Sequence, residues 1–182
     1  MKTIIISPAQ VGGAKPGRKI QRIVRGNFKS GKGKELSEKL RREGVTCCVL
    51  FEYISGGSYF RNKLMYARKF GDRQYIISPD GLLSPSDILD LPAVKRYMKC
   101  DMKGDKTLQE KMRKRIKQQA ENLGIMGDEV IFIGSQEYLN ILKPIFPNLK
   151  YPLKLKGKSN IEKAKILEEA IRSGSELNYE RV

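Results

Sequence analysis

Ile76-Ile77-Ser78-Pro79-Asp80-Gly81-Leu82-Leu83-Ser84-Pro85-Ser86-Asp87 begins with the end of an apolar run, Gln74 to Ile77, and passes into a Ser-Pro-Asp-Gly turn. The pattern reads as a buried strand that delivers a carboxylate to the edge of a sheet. In open α/β sheets the ligand crevice lies beyond the carboxyl ends of the strands, which makes Asp80 the first candidate for chemistry. An Asp before a Gly also has a plain structural use, its side chain bonding nearby backbone N–H groups in the turn.

The same succession of strand and turn recurs on either side. Thr3 to Ile6 stops at Ser7-Pro8-Ala9-Gln10, Val45 to Phe51 at Glu52-Tyr53-Ile54-Ser55-Gly56-Gly57, and Glu129 to Ile133 at Gly134-Ser135-Gln136. Helical patterns lie between them. Glu35 to Arg42 ends at Gly44, and Ser58 opens a helix whose Phe60, Leu64, Ala67 and Phe70 recur at helical spacing up to Gly71. Ser84 or Ser86 caps a short helix through Leu89 that stops before Pro92. Thr107-Leu108-Gln109-Glu110 is a capping box, followed by the apolar stripe Leu108, Met112, Ile116 and Ala120 under a basic face. Glu137 to Leu142 and a last helix opened by Ser159-Asn160-Ile161-Glu162 complete the series, and the tail from Ser175 reads as frayed.

Strands alternating with helices predict a single α/β domain over residues 1–182, a three-layer sandwich around a central four-stranded, mostly parallel sheet. One edge of that sheet would collect Gln10, Glu52, Asp80 and Ser135.

Composition narrows the chemistry. With 182 residues and 40% hydrophobic content the chain can bury a core. No apolar run approaches the roughly 18 residues of a membrane span, and the opening Met-Lys-Thr-Ile-Ile-Ile is too short for a signal peptide, so a cytoplasmic protein is expected. Three cysteines, two of them adjacent, fit reduced core thiols rather than a disulfide framework. Without histidine or spaced cysteine pairs, neither a zinc site nor a Ser-His-Asp or Cys-His nucleophile assembles, and no metal or cofactor is expected. Carboxylates, hydroxyls, amides, lysines and backbone N–H groups remain.

The net charge of +16 is unevenly spread. Nine Lys/Arg precede the first acidic residue, Glu35, and Lys95 to Lys117 holds ten basic residues against three acidic ones. Charge clustered in two blocks is the footprint of a polyanion partner, and nucleic acid, double-stranded DNA in particular, fits best. The first block falls in a basic insert at about residues 14–34, a candidate for ordering on binding with room for one short element around Ile20 to Val24. Within it Gly26-Asn27-Phe28-Lys29-Ser30-Gly31-Lys32 matches a phosphate loop up to the lysine. Gly33 then stands where a Ser or Thr would ligate magnesium, so contact with nucleic-acid phosphates explains the segment better than nucleotide hydrolysis.

Ser78-Pro79-Asp80-Gly81-Leu82-Leu83-Ser84-Pro85 resembles the Ser-Pro-x-Gly-Leu-x-Pro or Ser-Ala-Lys-Tyr-Gly-Leu-Leu element of an uncharacterised bacterial and phage family, with a related element in an accessory domain of archaeosine synthase. Leu91-Pro92-Ala93 with Tyr97 and Gly104, and Gly134 with Tyr138 and Leu142, are similar to downstream elements of the same families. Ile6-Ser7-Pro8-Ala9 is similar to the start of the YaaA peroxide-stress proteins. The resemblance implies a uracil-DNA-glycosylase-like fold. It implies either cleavage of the N-glycosidic bond of a damaged or modified base, phage hypermodified bases included, or binding of nucleic acid without catalysis, as in an RNA-modification accessory domain.

A glycosylase needs a carboxylate near the sugar, donors near the departing base and an aromatic against the extruded base. On this reading Asp80 orients water or stabilises the sugar cation and Glu52 is the next candidate. Ser7, Gln10, Ser78, Gly134 and Ser135 contact base or phosphate, and Tyr53 stacks. Lys15, Arg18, Lys19, Arg22, Arg25, Lys29, Lys32, Lys34, Lys99, Lys103 and Lys106 grip the backbone. A membrane-surface role is weaker, because the helices lack a large aromatic face.

Overall fold

The computed structural model describes residues 1–9 and 17–182. In chain order its strands are β1 (Lys2–Ile6), β2 (Val45–Thr46), β3 (Arg73–Ser78), β4 (Gly81–Leu83), β5 (Ile88–Leu89), β6 (Glu129–Ile133), β7 (Lys150–Pro152) and β8 (Tyr179–Arg181). The helices are α1 (Arg18–Arg25), α2 (Lys32–Arg42), α3 (Cys47–Ser55), α4 (Tyr59–Phe70), α5 (Leu91–Met98), α6 (Lys106–Asn122), α7 (Gln136–Leu142) and α8 (Asn160–Ser173). The fold is α/β, with a central sheet of six strands in the order β4-β3-β1-β6-β7-β8 rather than the four expected.

Its four inner strands, β3, β1, β6 and β7, run parallel, and antiparallel β4 and β8 close the edges. β1 lies at the centre, pairing Ile4 with Gln74 on one side and Ile131 on the other. Its Ile4, Ile5 and Ile6 are almost wholly buried, as expected of a parallel strand covered on both faces. α4 packs on β1 and β3 and against α8, where the buried Asn62 Nδ2 donates to the Ala164 carbonyl at 2.9 Å. α6 packs on β4 and against α7.

Four expectations change. Val45 to Phe51 is not a strand of the sheet. After two residues paired with β5 it turns into α3, whose Cys47, Leu50 and Phe51 are buried at helical spacing. A short apolar run does not by itself distinguish a strand from a buried helix. The fourth parallel strand is β7, too short and too interrupted by Lys and Pro to carry a periodic signal. Leu89 ends a strand, and Pro92 lies in the first turn of α5, where its missing N–H does no harm and Asp90 caps by accepting from the Ala93 N–H. The tail is docked as β8. Tyr66 and Tyr179 share a 2.6 Å hydroxyl hydrogen bond, and the Leu177 N–H donates to the Tyr66 hydroxyl at 2.9 Å.

In the basic region α1 buries Ile20 and Ile23 and exposes its arginines and lysines. Arg41 of α2 fastens it by donating to the Ile23 and Val24 carbonyls, which satisfies the open end of the helix. The stretch from Gly26 to Lys32 therefore joins two helices instead of following a strand. Gly33 has a packing reason to be glycine, since a Cβ there would come 2.3 Å from the Phe28 ring and 2.5 Å from the Tyr53 hydroxyl. Asp105 caps α6 by accepting from the Leu108 N–H at 2.9 Å, two residues before the cap expected at Thr107. The expected capping box at Ser159 and Glu162 is present on α8.

Candidate functional site

From β1 the chain crosses to β3 on one side and then returns past β1 to β6 on the other. The carboxyl ends of β1 and β6 are thus the point where strand order reverses, and helices leaving in opposite directions open a crevice there. The Ser7 N–H donates to the Ile133 carbonyl at 3.2 Å, and the Ser135 N–H donates to Ser7 Oγ at 3.2 Å. Such close approach requires glycine at position 134, where a Cβ would lie 2.2 Å from Ser7 Oγ and 2.3 Å from the Phe132 ring.

A cavity of about 1050 Å³ sits over this junction. Its floor is Ser7, Pro8, Ala9, Gly134 and Ser135. Its walls are the Ser55-Gly56-Gly57-Ser58 loop with the first turns of α4, the Met102-Lys103 segment between α5 and α6, and the first turns of α7 and α8. The volume is at the upper end of small-ligand pockets. Lys63, Lys103, Lys163 and Lys165 line it against two carboxylates, Glu137 and Glu168, so the cavity shares the positive bias of the whole chain.

Lys63 is the unusual group. It sits on the second turn of α4, is only 3% exposed and lines the cavity. Its Nζ donates to the Ser7 carbonyl and lies 4.4 Å from the centroid of the Tyr59 ring, one helical turn earlier. No ion pair to Lys63 occurs among the described residues. Burial, followed by the charge of Lys163, pulls its ammonium from an ordinary 10.5 down to about 7. Tyr59 also lines the cavity, while its hydroxyl is buried behind the wall without a hydrogen-bond partner among the described residues, and burial pushes its ionisation up. Glu137 bonds Lys103 at 3.3 Å. Burial would raise its carboxyl, but hydrogen bonds from its own backbone N–H, Ser135 and Lys103 outweigh that and hold it below the usual carboxylate range.

Three of the residues singled out from the sequence, Ser7, Gly134 and Ser135, meet in this cavity, and Lys103 stands on its wall. Asp80 does not join them. It sits in the β3–β4 turn, accepts from the Tyr97 hydroxyl at 2.6 Å and from Arg96 at 3.1 Å, and faces Arg115 at 3.5 Å beside a separate open groove. Ser78 closes the same turn, donating to the Gly81 carbonyl and accepting from the Asp80 N–H. Glu52 lies on α3, paired with Arg61 at 2.6 Å, because the segment that carries it is helical and not a strand of the sheet. Tyr53 packs at Gly33 and lies 5.2 Å from Lys19 Nζ, outside the cavity lining.

Arg18, Lys19, Arg22, Arg25, Lys29, Lys32, Lys34, Lys99, Lys103 and Lys106 are all exposed. Gln10 and Lys15 lie outside the described residues. Lys19 reaches the cavity rim, its Nζ 3.1 Å from where a Gly56 Cβ would stand. Lys63 was absent from the sequence-derived candidates although a signal exists, since it occupies the i+3 position of the buried stripe Phe60, Leu64 and Ala67.

No protein-family model matches the sequence, and no curated protein or solved structure matches it either. Among the described residues no helix is long and apolar enough to cross a membrane, and no cluster of three or more His, Cys, Asp or Glu could hold a metal ion.

Proposed function

We propose that the protein cleaves the N-glycosidic bond of a damaged or modified base in nucleic acid, double-stranded DNA being the substrate that its charge favours. The observation that carries this reading is the cavity at the β1–β6 strand ends, large enough for an extruded nucleotide and lined by the buried amine of Lys63. The mostly parallel central sheet of an α/β fold supports the uracil-DNA-glycosylase-like fold that the sequence resemblance implies, with six strands in place of the four expected.

Base cleavage develops positive charge on the sugar and negative charge on the departing base. Lys103, whose ammonium keeps free N–H donors beside its pair with Glu137, suits the base from the cavity wall. Glu137, ionised at neutral pH, supplies negative charge for the sugar. The exposed lysines and arginines of α1, the α1–α2 connection and the α5–α6 connection hold phosphates, and an extruded nucleotide reaches a cavity that a stacked base would not.

Mass spectrometry of free bases released from natural and phage-type modified DNAs, with alkaline cleavage to reveal abasic sites, tests the proposal. A released base is expected from at least one substrate. The second reading is a nucleic-acid-binding or RNA-modification accessory domain without catalysis. It is favoured by the ion pairs that occupy Asp80 and Glu52 outside the cavity. Steeply salt-dependent DNA binding with no released base across the panel would leave that reading standing alone.

A further inference from the structure

Within the glycosylase reading, on which this step rests, we propose that Lys63 is the nucleophile. Its Nζ attacks C1′ of the extruded nucleotide and carries the sugar as a covalent imine. The enzyme would then release a base and hold an opened deoxyribose in one active site.

The placement of the amine supports this role. A lysine that serves only the core is normally paired with a carboxylate, because an unpaired buried ammonium is expensive. Lys63 has instead a single backbone carbonyl and a pair of aromatic faces, Tyr59 and Phe60, and it lines the cavity. None of these contacts consumes the nitrogen lone pair of the neutral amine. The pull on its ammonium to about 7 leaves a large neutral fraction at physiological pH, whereas an exposed lysine is almost fully protonated there. Lysine amines activated by desolvation and by a neighbouring cation are a recognised route to carbonyl chemistry, and Lys163 supplies the second factor here. The Tyr59 ring, one turn away, lines the same cavity, while its hydroxyl is buried behind the wall.

The steps balance without an outside oxidant or reductant. The amine lone pair forms the N–C1′ bond while the C1′–base bond breaks and its electron pair leaves with the base. The proton then lost from the new aminium nitrogen equals the one the base takes up. The nitrogen lone pair next expels O4′, which takes a proton from solvent, and a C1′ iminium results. Water adds to that carbon, the C–N bond breaks, and the amine, an abasic aldehyde and the borrowed proton are regenerated.

The test uses the whole protein at pH 7. It is incubated with a duplex bearing one abasic site and, separately, with pyridoxal phosphate as a small phosphate-bearing aldehyde. Each sample is reduced with borohydride and the adduct located by peptide mass spectrometry. Both adducts are expected on Lys63, at least about tenfold above any exposed lysine. Lys63→Arg should lose them while keeping its circular dichroism and its salt-dependent DNA affinity. Adducts scattered over the exposed lysines would overturn the proposal, and the mapping on the unaltered protein decides this even if the variant does not fold. Base release without a DNA adduct on Lys63 would also overturn it while leaving the glycosylase reading intact. A pyridoxal phosphate adduct on Lys63 with neither DNA adduct nor base release would overturn both, leaving a reactive amine for a smaller carbonyl compound.

Discussion

Replacing Lys63 with methionine tests the buried amine without reference to any substrate. An unfolded lysine titrates near 10.5 and Lys63 in the fold near 7, a difference equivalent to roughly 5 kcal/mol between its two protonation states. Between those two values the unfolded chain binds more protons than the native one, so stability rises with pH. Below about 7 both states are protonated, and the full penalty of a buried ammonium is present. For the native protein the relief between pH 7 and pH 9 amounts to about 2 kcal/mol.

Lys63→Met has no such group, and its chain lacks only the donor to the Ser7 carbonyl, a loss of about 1 kcal/mol that does not depend on pH. Repulsion among the remaining charges of this basic chain changes with pH almost equally in both proteins, so the difference between them isolates Lys63. Urea unfolding at pH 7, 8 and 9 should show Lys63→Met gaining on the native protein as pH falls, by about 2 kcal/mol over the range. Parallel stability curves would mean that the amine titrates normally, and the account of the site would be wrong.

Gly134→Ala should lower stability by about 1–3 kcal/mol, read as a fall in melting temperature, because the added Cβ collides with Ser7 Oγ and Phe132 in the cavity floor. Asp80→Asn should destabilise by only about 1 kcal/mol in denaturant titrations, since Arg96 and Arg115 are solvent-exposed and an asparagine Oδ1 still accepts from the buried Tyr97 hydroxyl. The same variant should retain base release, and a loss of release at unchanged stability would return Asp80 to the chemistry. Changing Lys99 and Lys106 to glutamine should reduce the slope of log affinity against log salt by roughly 2 for duplex DNA, and an unchanged slope would remove the α5–α6 block from the interface.

Much of the architecture was legible because its signals are local. The runs Thr3 to Ile6, Gln74 to Ile77 and Glu129 to Ile133 each open on one polar residue and are hydrophobic after it, and they are three of the four parallel strands. Ser159 and Glu162 announce α8 through a reciprocal hydrogen bond that depends on three residues of spacing. The errors fell where local signals are weakest. Cys47 to Phe51 is apolar on every side and suits either a strand or a helix. Lys150–Pro152 becomes a strand only because β6 and β8 are there to pair with it.

By itself the sequence determined the α/β class, the order of most elements, the absence of histidine chemistry and the basic character of the surface, since each follows from composition or from spacing of a few residues. Only the tertiary structure decided which strand ends meet. It drew Ser7 to Gly134 across more than a hundred residues of chain and turned Asp80 toward two arginines instead. It also enclosed Lys63 beneath α8, and a lysine changes from a solvated charge to a candidate nucleophile only through what surrounds it.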